Sequence, residues 1–522
     1  MGKVVVLGLD GATFKIVNPM LEQGRLPHLK KLLQKSAYGT LHSCIPPNTD
    51  PAWPVFFTGM NPGKLGFFFY MQDIGDNYYR ERLFRGPIQE DMFTLVSEQG
   101  KNVVAFNIPI SYPPKKVNGI YVTGLLTPPG TKFTYPEEIQ QELGEDYRIS
   151  IPDFKFLSDE EKVIQLKKEV NKKFDLALKF YKQYRPDLFV FVTMMTDLVH
   201  HFFWKFMDPH HPSYEESAYR DVIYDLYNLI DNKIGEFLEV LDKNTHLIIM
   251  SDHGADASYL DFNINRWLIN QGFMQLHANA KKKTLRGVYK VLGLENQKIR
   301  SIAKKVFVRD SDRAKRISGN VQVGFRDIDW GKTKAFGMGS YGLFINLQGR
   351  DNEGAVTQDS YHQVREELIE ALRGITHPQT GKKVINKIFK KEDIYHGRYM
   401  DKMPDIVFIA HQDFFVRDFF KDEEFTHSDF NAAHDSEGLF IVHGPEVHEG
   451  KVADGNLIDM TPTILHLLDC KIPQYYDGNV LKQIFVPESR LFKKKSLLQS
   501  DQEKKTEDVK KKVSELVKNI KL

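Results

Sequence analysis

The sequence predicts an α/β fold, a mostly parallel sheet sandwiched by helices and carrying an inserted α+β subdomain. Three observations predict it. Short apolar runs at residues 4–9, 102–108, 188–193 and 246–250 alternate with longer segments whose apolar residues recur at helical spacing. Several of these runs end in carboxylate or imidazole side chains, and open α/β sheets place their sites at the carboxyl ends of their strands. The alternation loosens between residues 257 and 426 and resumes near His434.

In chain order, residues 4–9 are a strand ending at Asp10, and residues 27–34 are helical. The loop Pro46-Pro47-Asn48-Thr49 leads into a helix over residues 53–58. Residues 102–108 and 188–193 are strands separated by a strongly charged helical stretch, 159–185. Residues 219–241 repeat Leu, Ile and Val at helical spacing and precede the strand 246–250. Beyond it, 281–316 is basic and irregular, 341–346 and 405–410 are short strand-like units, and 361–373 is helical. The strand 439–442 and the helix 461–468 return to the core pattern. The last stretch is Lys-rich, yet Val509, Val513, Leu516, Val517 and Ile520 keep helical spacing. These features divide the chain into a discontinuous core (1–256 and 427–490), an insert (257–426) and a helical tail (491–522).

Composition narrows the class. Of the 522 residues 41% are hydrophobic and 27% charged, as in a globular protein, and a net charge of +2 argues against nucleic-acid polymers or anionic membranes as partners. Two cysteines, Cys44 and Cys470, offer no disulfide framework and fit a reducing compartment. No apolar stretch approaches the length of a membrane span, and the first residues lack the pattern of a signal peptide or a myristoylation site. A cytoplasmic location is the expectation.

The chemistry concentrates in four clusters. Asp10 follows residues 4–9, Asp197 and His201 follow 188–193, and Asp252-His253-Gly254 follows 246–250. His434 stands ahead of 439–442. Carboxylates and imidazoles without thiolate suit a metal site with open positions, zinc first and manganese or iron next. Thr49 stands near a helix start, where free backbone N–H groups and the positive dipole end suit a phosphoryl group, although Thr is also an ordinary helix cap. His200 beside His201 offers a second imidazole. His210, His211 and His443 have no supporting motif.

These residues resemble the alkaline phosphatase superfamily, in particular its type I phosphodiesterase/nucleotide pyrophosphatase branch and the cytoplasmic phosphohydrolase/phosphomutase relatives. In that family a strand ends in Asp, and a nucleophile stands nine residues before Thr-Gly, as Thr49 does before Thr58-Gly59. Asp197 and His201 match an Asp-x-x-x-His segment, Ser251 to Gly254 match Ser-Asp-His-Gly, and His434 matches a late His. Five motifs occur in the family's order. The segment from Asp329-Trp330 to Gly349-Arg350 is similar to one in the phosphohydrolase branch. Cys44-Ile45-Pro46-Pro47-Asn48 looks like a sulfatase motif only superficially, with Asn48 in the Arg place; at the fitting register Thr49 takes the Cys place and Trp53 the Arg place.

The resemblance implies two divalent metal ions, most readily zinc. Asp197, His201 and His434 would hold the first, and Asp10, Thr49, Asp252 and His253 the second, with His201 favoured over His200. It implies hydrolysis of a small phosphate ester, mono- or diester, through a covalent phosphothreonine on Thr49. The alternatives are a phosphomutase of the same fold, a phosphoryl transferase on lipid head groups or glycans, and a metal-binding protein without catalysis. Ala52 stands near where nucleotide-cleaving relatives carry an amide, so another group must meet the remaining phosphoryl oxygen. Arg350, Lys334 and Lys205 are the candidates, and the insert is expected to roof the site and select the substrate.

Overall fold

The computed structural model describes residues 2–69, 71–72, 80–81, 91–277, 324–418 and 420–500. The basic stretch 281–316 and the Val509–Ile520 spacing lie outside them. The core is one large sheet. At its centre Lys3–Leu9 pairs in parallel with Leu188–Thr193 on one side and Thr245–Met250 on the other. Val103–Ile108 and Gly119–Thr123 extend the parallel run beyond Leu188–Thr193. Each strand is buried on both faces, which explains continuous apolar runs instead of alternation.

Val5, Leu7 and Leu9 turn to one face, where they pack with apolar residues of Phe14–Glu22, Asp159–Tyr184, Met195–Met207 and Val222–Val240. Val4 and Val6 turn to the other, against Thr49–Thr58, Met92–Glu98 and Met460–Leu467. The charged 26-residue helix Asp159–Tyr184 has a sequence-encoded start: the Ser158 hydroxyl accepts from Glu161 N at 3.2 Å, and the Glu161 carboxylate accepts from Ser158 N at 2.8 Å. It ends where Arg185 takes a left-handed φ of 43°.

The sheet departs from all-parallel order where it matters most. Glu437–His443 lies between Thr245–Met250 and Ser36–His42 and is antiparallel to both. Its first residues therefore stand at the edge where the parallel strands end, which is why His434 precedes its strand while the other clusters follow theirs. The strand Ser36–His42 had no clear sequence signal, because Leu41 is the one large apolar residue among its buried positions, the others being Ser36, Ala37 and Gly39. The helix after the Pro46-Pro47 loop also begins earlier than its apolar run, at Thr49 instead of residue 53.

The described residues between Leu260 and Phe425 build a separate apolar core around a four-stranded antiparallel sheet ordered Ala335–Gly337, Gly342–Ile345, Ile406–Ala410, Ile385–Lys390, covered by Tyr361–Arg373. This region grips the loop around Thr49. The Tyr395 hydroxyl donates to Ile45 O at 2.5 Å, His396 N to Asn61 Oδ1 at 3.2 Å and Tyr399 N to Gly63 O at 3.0 Å. Among the described residues no helix is long and apolar enough to cross a membrane.

One buried charge makes the core's stability depend on pH. Lys173 on Asp159–Tyr184 is fully buried, donates to Ile149 O at 3.0 Å and stands 3.7 Å from Glu169. Burial pulls its pKa down to about 8, against the partial compensation of Glu169. Between that value and the ordinary lysine value of 10.5 the unfolded chain holds a proton that the native chain has lost. Stability therefore rises with pH through this window. In urea unfolding, wild type is expected to gain on Lys173→Met between pH 8 and 10.5, by on the order of 3 kcal/mol; parallel pH profiles would refute it.

Candidate active site

Three adjacent strands end together, and their ends deliver Asp10, Asp197 and the Asp252-His253 pair to one edge of the sheet. Asp197 and His201 lie one turn apart on Met195–Met207, so they face the same way, with Asp197 Oδ2 3.2 Å from His201 Nε2. His434 arrives on the short strand Ala432–Asp435, paired antiparallel with Gly254–Ala257. This register stacks its ring on that of His253 at 4.0 Å between centroids. Lys15, at the start of Phe14–Glu22, staples the two-stranded ribbon through Asp256 at 2.6 Å and Asp435 at 2.5 Å.

Two groups of possible ligand atoms result, each with its members within 4.8 Å of one another: Asp197, His201 and His434, and Asp10, Asp197 and His253. Asp197 belongs to both. Asp252 and Thr49 meet the second group at His253, whose Nε2 is 3.5 Å from Asp252 Oδ2, 3.6 Å from Asp10 Oδ1 and 3.1 Å from Thr49 Oγ1. Thr49 does not cap its helix. Asn48 is the N-cap and Thr49 the first helical residue, so its hydroxyl is directed to the cluster at the positive end of the dipole.

Packing holds the carboxylates. The Trp53 indole donates to Asp10 Oδ2 at 2.7 Å. It reaches there because Gly8 has no side chain; a Cβ would lie 2.7 Å from the indole. Gly11 has a φ of 67° and donates its N–H to Asp252 Oδ1 at 3.3 Å, while a Cβ there would press on Asp197. Asn431 ties the His434 segment to the His201 helix, its N–H donating to His201 O at 2.7 Å.

The electrostatics of this pocket fit a cation. Asp10 Oδ1, Asp197 Oδ1 and Asp252 Oδ2 are buried with no hydrogen-bond donor among the described residues. His201 Nδ1–H donates to Ala432 O at 2.8 Å and His253 Nδ1–H to Gly254 O at 2.9 Å. Each Nε2 therefore turns a lone pair toward carboxylates, and His201 Nε2 is also 3.2 Å from His434 Nε2. Lone pairs and unpaired carboxylate oxygens converging in a buried space repel unless positive charge lies among them. Burial, then the charge of Asp252, pushes the Asp10 carboxyl well above the usual range, and burial, then Asp197, does the same to Asp252. Burial also opposes ionisation of Asp197, but the adjoining imidazoles His201, His434 and His253 overcome it and hold its pKa low.

His200 faces away. Its Nε2 meets the Tyr227 hydroxyl at 3.0 Å, and burial lowers its pKa to about 3. His211 holds the loop through Asn431 O, and His443 meets Lys35 O.

The three cations expected to meet the substrate are directed elsewhere. Arg350 is spent on Asp405, at 2.8 and 2.9 Å, with further bonds to Asp351 and Ile345 O, because buried Asp405 needs compensation. Lys205 pairs with Glu215 at 3.1 Å, and Lys334 is exposed. None contacts the ligand cluster among the described residues. The cation whose charge acts on His201 and His434 is Arg417. It stacks at 3.8 Å on Phe415 and 4.7 Å on Phe430, and Phe430 stacks on His201 at 4.5 Å. Nothing local in the sequence set Arg417 apart from other arginines.

In fold the chain is similar to phosphonoacetate hydrolase from Sinorhizobium meliloti 1021 (TM-score 0.52, 13% identity, covering 90% of this chain and 95% of that one). Murine ectonucleotide pyrophosphatase/phosphodiesterase 5 aligns with 14% identity and a TM-score of 0.49, over 90% of this chain and 95% of that one. No curated protein matches the chain in sequence. The family description "Type I phosphodiesterase / nucleotide pyrophosphatase" matches residues 4–437. With that match spanning most of the sequence, on an alkaline phosphatase-like fold, the chain belongs to the type I phosphodiesterase/nucleotide pyrophosphatase family of the alkaline phosphatase superfamily.

Proposed function

We propose that this chain is a two-metal phosphoric ester hydrolase acting on a small phosphate ester through a covalent phosphothreonine at Thr49. The observation that carries the reading is the Thr49 hydroxyl at a helix start, 3.1 Å from His253 Nε2 and beside unpaired buried carboxylates. Asp197, His201 and His434 would hold one cation, and Asp10, Thr49, Asp252 and His253 the other. The all-oxygen-and-nitrogen donor set suits zinc, with manganese or iron next. Bound divalent cations would lower the pKa of the Thr49 hydroxyl and neutralise charge on the phosphoryl oxygens.

The chain's own residues account for the rest. Gly254 O fixes the tautomer of His253 so that its Nε2 faces Thr49, and Trp53 fixes the orientation of Asp10. The Thr49 oxygen gives its proton to solvent and attacks phosphorus in line, forming Oγ–P as the bond to the leaving oxygen breaks and that oxygen takes up a proton from water. Water then cleaves Oγ–P, releasing phosphate or a monoester and restoring the hydroxyl. Two displacements let a weak nucleophile suffice. The region 257–426 selects the substrate, since it grips the nucleophile loop and supplies Arg417.

Thr49→Ala is expected to lower turnover of aryl phosphate mono- or diesters by at least about 10³-fold, because the covalent route is lost. Acid quenching of wild type during turnover should leave phosphate on Thr49 by peptide mass spectrometry. Near-normal rates in the variant would show that water attacks phosphorus directly.

Metal removal supplies a second test. Elemental analysis should find two divalent ions per chain, and dialysis against a chelator should lower Tm reversibly, since ligand at 100 times its Kd stabilises by about 2.7 kcal/mol. An unchanged Tm and no bound metal would sink the two-metal reading.

A further inference from the structure

His434 is the least anchored of the three imidazoles among the possible ligand atoms. His201 and His253 are each oriented by an Nδ1–H bond to a backbone carbonyl, whereas His434 Nδ1 is buried with no hydrogen-bond partner among the described residues. Its position therefore rests on the strand that carries it. That strand, Ala432–Asp435, belongs to a ribbon of two strands and four residue pairs, with Ala255 opposite His434. So small a ribbon is marginally stable on its own.

The ribbon has two faces. Cross-strand partners share a face and neighbours along a strand alternate, so His434 and Ala255 turn one way while Asp256 and Asp435 project the other way as diagonal neighbours. Like charges so placed repel across the strands. Lys15 Nζ stands between them, 2.6 Å from Asp256 Oδ2 and 2.5 Å from Asp435 Oδ2. The other oxygen of each carboxylate meets nearby backbone, Asp256 Oδ1 accepting from Ala257 N at 2.8 Å and Asp435 Oδ1 from Glu437 N at 3.4 Å. A pull at Oδ2 is thus passed on to the strands. Lys15 is itself fixed close to the strand end that carries Asp10, because Thr13 caps its helix and accepts from Lys15 N at 3.2 Å. An exposed ion pair contributes little, but a cation between two anions on a marginal ribbon also removes a repulsion.

We propose that Lys15 is a positioning residue for one metal ion: by neutralising Asp256 and Asp435 it holds His434 beside Asp197 and His201, and so sets the affinity of that group for a divalent cation. Asp10, Asp252 and His253 come from strand ends outside the ribbon, and their group is spared. The inference rests on the two-metal reading, to which it adds a control of one cation apart from the other.

Zinc alone is the probe, its affinity measured in competition with a chromophoric chelator. Two backgrounds isolate the groups: Asp252→Asn leaves the one with His434, and His434→Ala leaves the one with Asp10, Asp252 and His253. Lys15→Met should weaken zinc about tenfold in the first background, the low end of what residues behind metal ligands contribute, and less than about twofold in the second. Lys15→Arg, which keeps the charge, should stay close to the unsubstituted background. Adding Asp256→Asn and Asp435→Asn to Lys15→Met should restore most of the loss, because the repulsion is then gone. A loss that is equal in both backgrounds, absent from the first, or unrelieved by the two Asn substitutions overturns the proposal and leaves Lys15 as general support of the fold. Should Lys15→Met fail to fold, the first background carrying all three substitutions decides: retained zinc affinity supports the proposal, and a loss of about tenfold overturns it. If wild type binds no zinc, the proposal falls together with the two-metal reading. Zinc bound as expected without turnover of any phosphate ester defeats the hydrolase reading alone, and the Lys15 measurements still decide the proposal.

Discussion

The structure is organised around an electrostatic demand: three carboxylates, those of Asp10, Asp197 and Asp252, are buried together with no lysine or arginine paired to any of them among the described residues. Taking a single carboxylate out of water costs several kcal/mol even after relaxation. Three placed within reach of one another are tolerable only if some are protonated or if cations occupy the space between. Everything around them serves to hold the arrangement. Trp53 and Gly8 fix Asp10, Gly11 fixes Asp252, and backbone carbonyls at Ala432 and Gly254 turn the imidazole lone pairs inward.

The two halves of the molecule divide this work. The core supplies the possible ligand atoms and the candidate nucleophile from rigid strand ends and helix starts, where position is set by sheet register to within a fraction of an ångström. Among the described residues the region 257–426 supplies nothing to the two groups of possible ligand atoms, yet it binds the loop around Thr49 through Tyr395, His396 and Tyr399 and aligns Phe415 and Arg417 against the imidazoles. Chemistry common to a family can stay constant in the first part while the second changes.

What the sequence could disclose follows from how local each signal is. The strands before Asp10, Asp197 and Asp252 are unbroken apolar runs because both faces are covered, so their ends stand out by inspection. Ser36–His42 was illegible, since a strand in which Leu41 is the one large aliphatic residue beside Ser, Ala, Tyr, Gly, Thr and His carries little apolar pattern. The ribbon Ala432–Asp435 was equally silent, being four residues whose partners lie 175 to 181 positions earlier. Arg350 misled for a related reason: nothing near it in sequence announces Asp405, 55 residues on, which neutralises it. Arg417 draws its meaning from Phe430 and Asp261, both distant in sequence. Pairwise encounters across the chain, which decide charge compensation, leave no periodic trace.

The antiparallel strand Glu437–His443 has a consequence for how the protein is made. It is late in synthesis but interior in the sheet, seated between strands laid down some 190 and 400 residues earlier. Until it emerges from the ribosome, Ser36–His42 and Thr245–Met250 present bare backbone edges open to pairing with other chains. His434 emerges just ahead of it, so a nascent chain cannot complete the ligand cluster before the sheet is ready to close. Folding ends with a wedge driven into the middle of the molecule. Prematurely terminated chains would lack the site and also carry two adhesive edges, marking them for capture by chaperones.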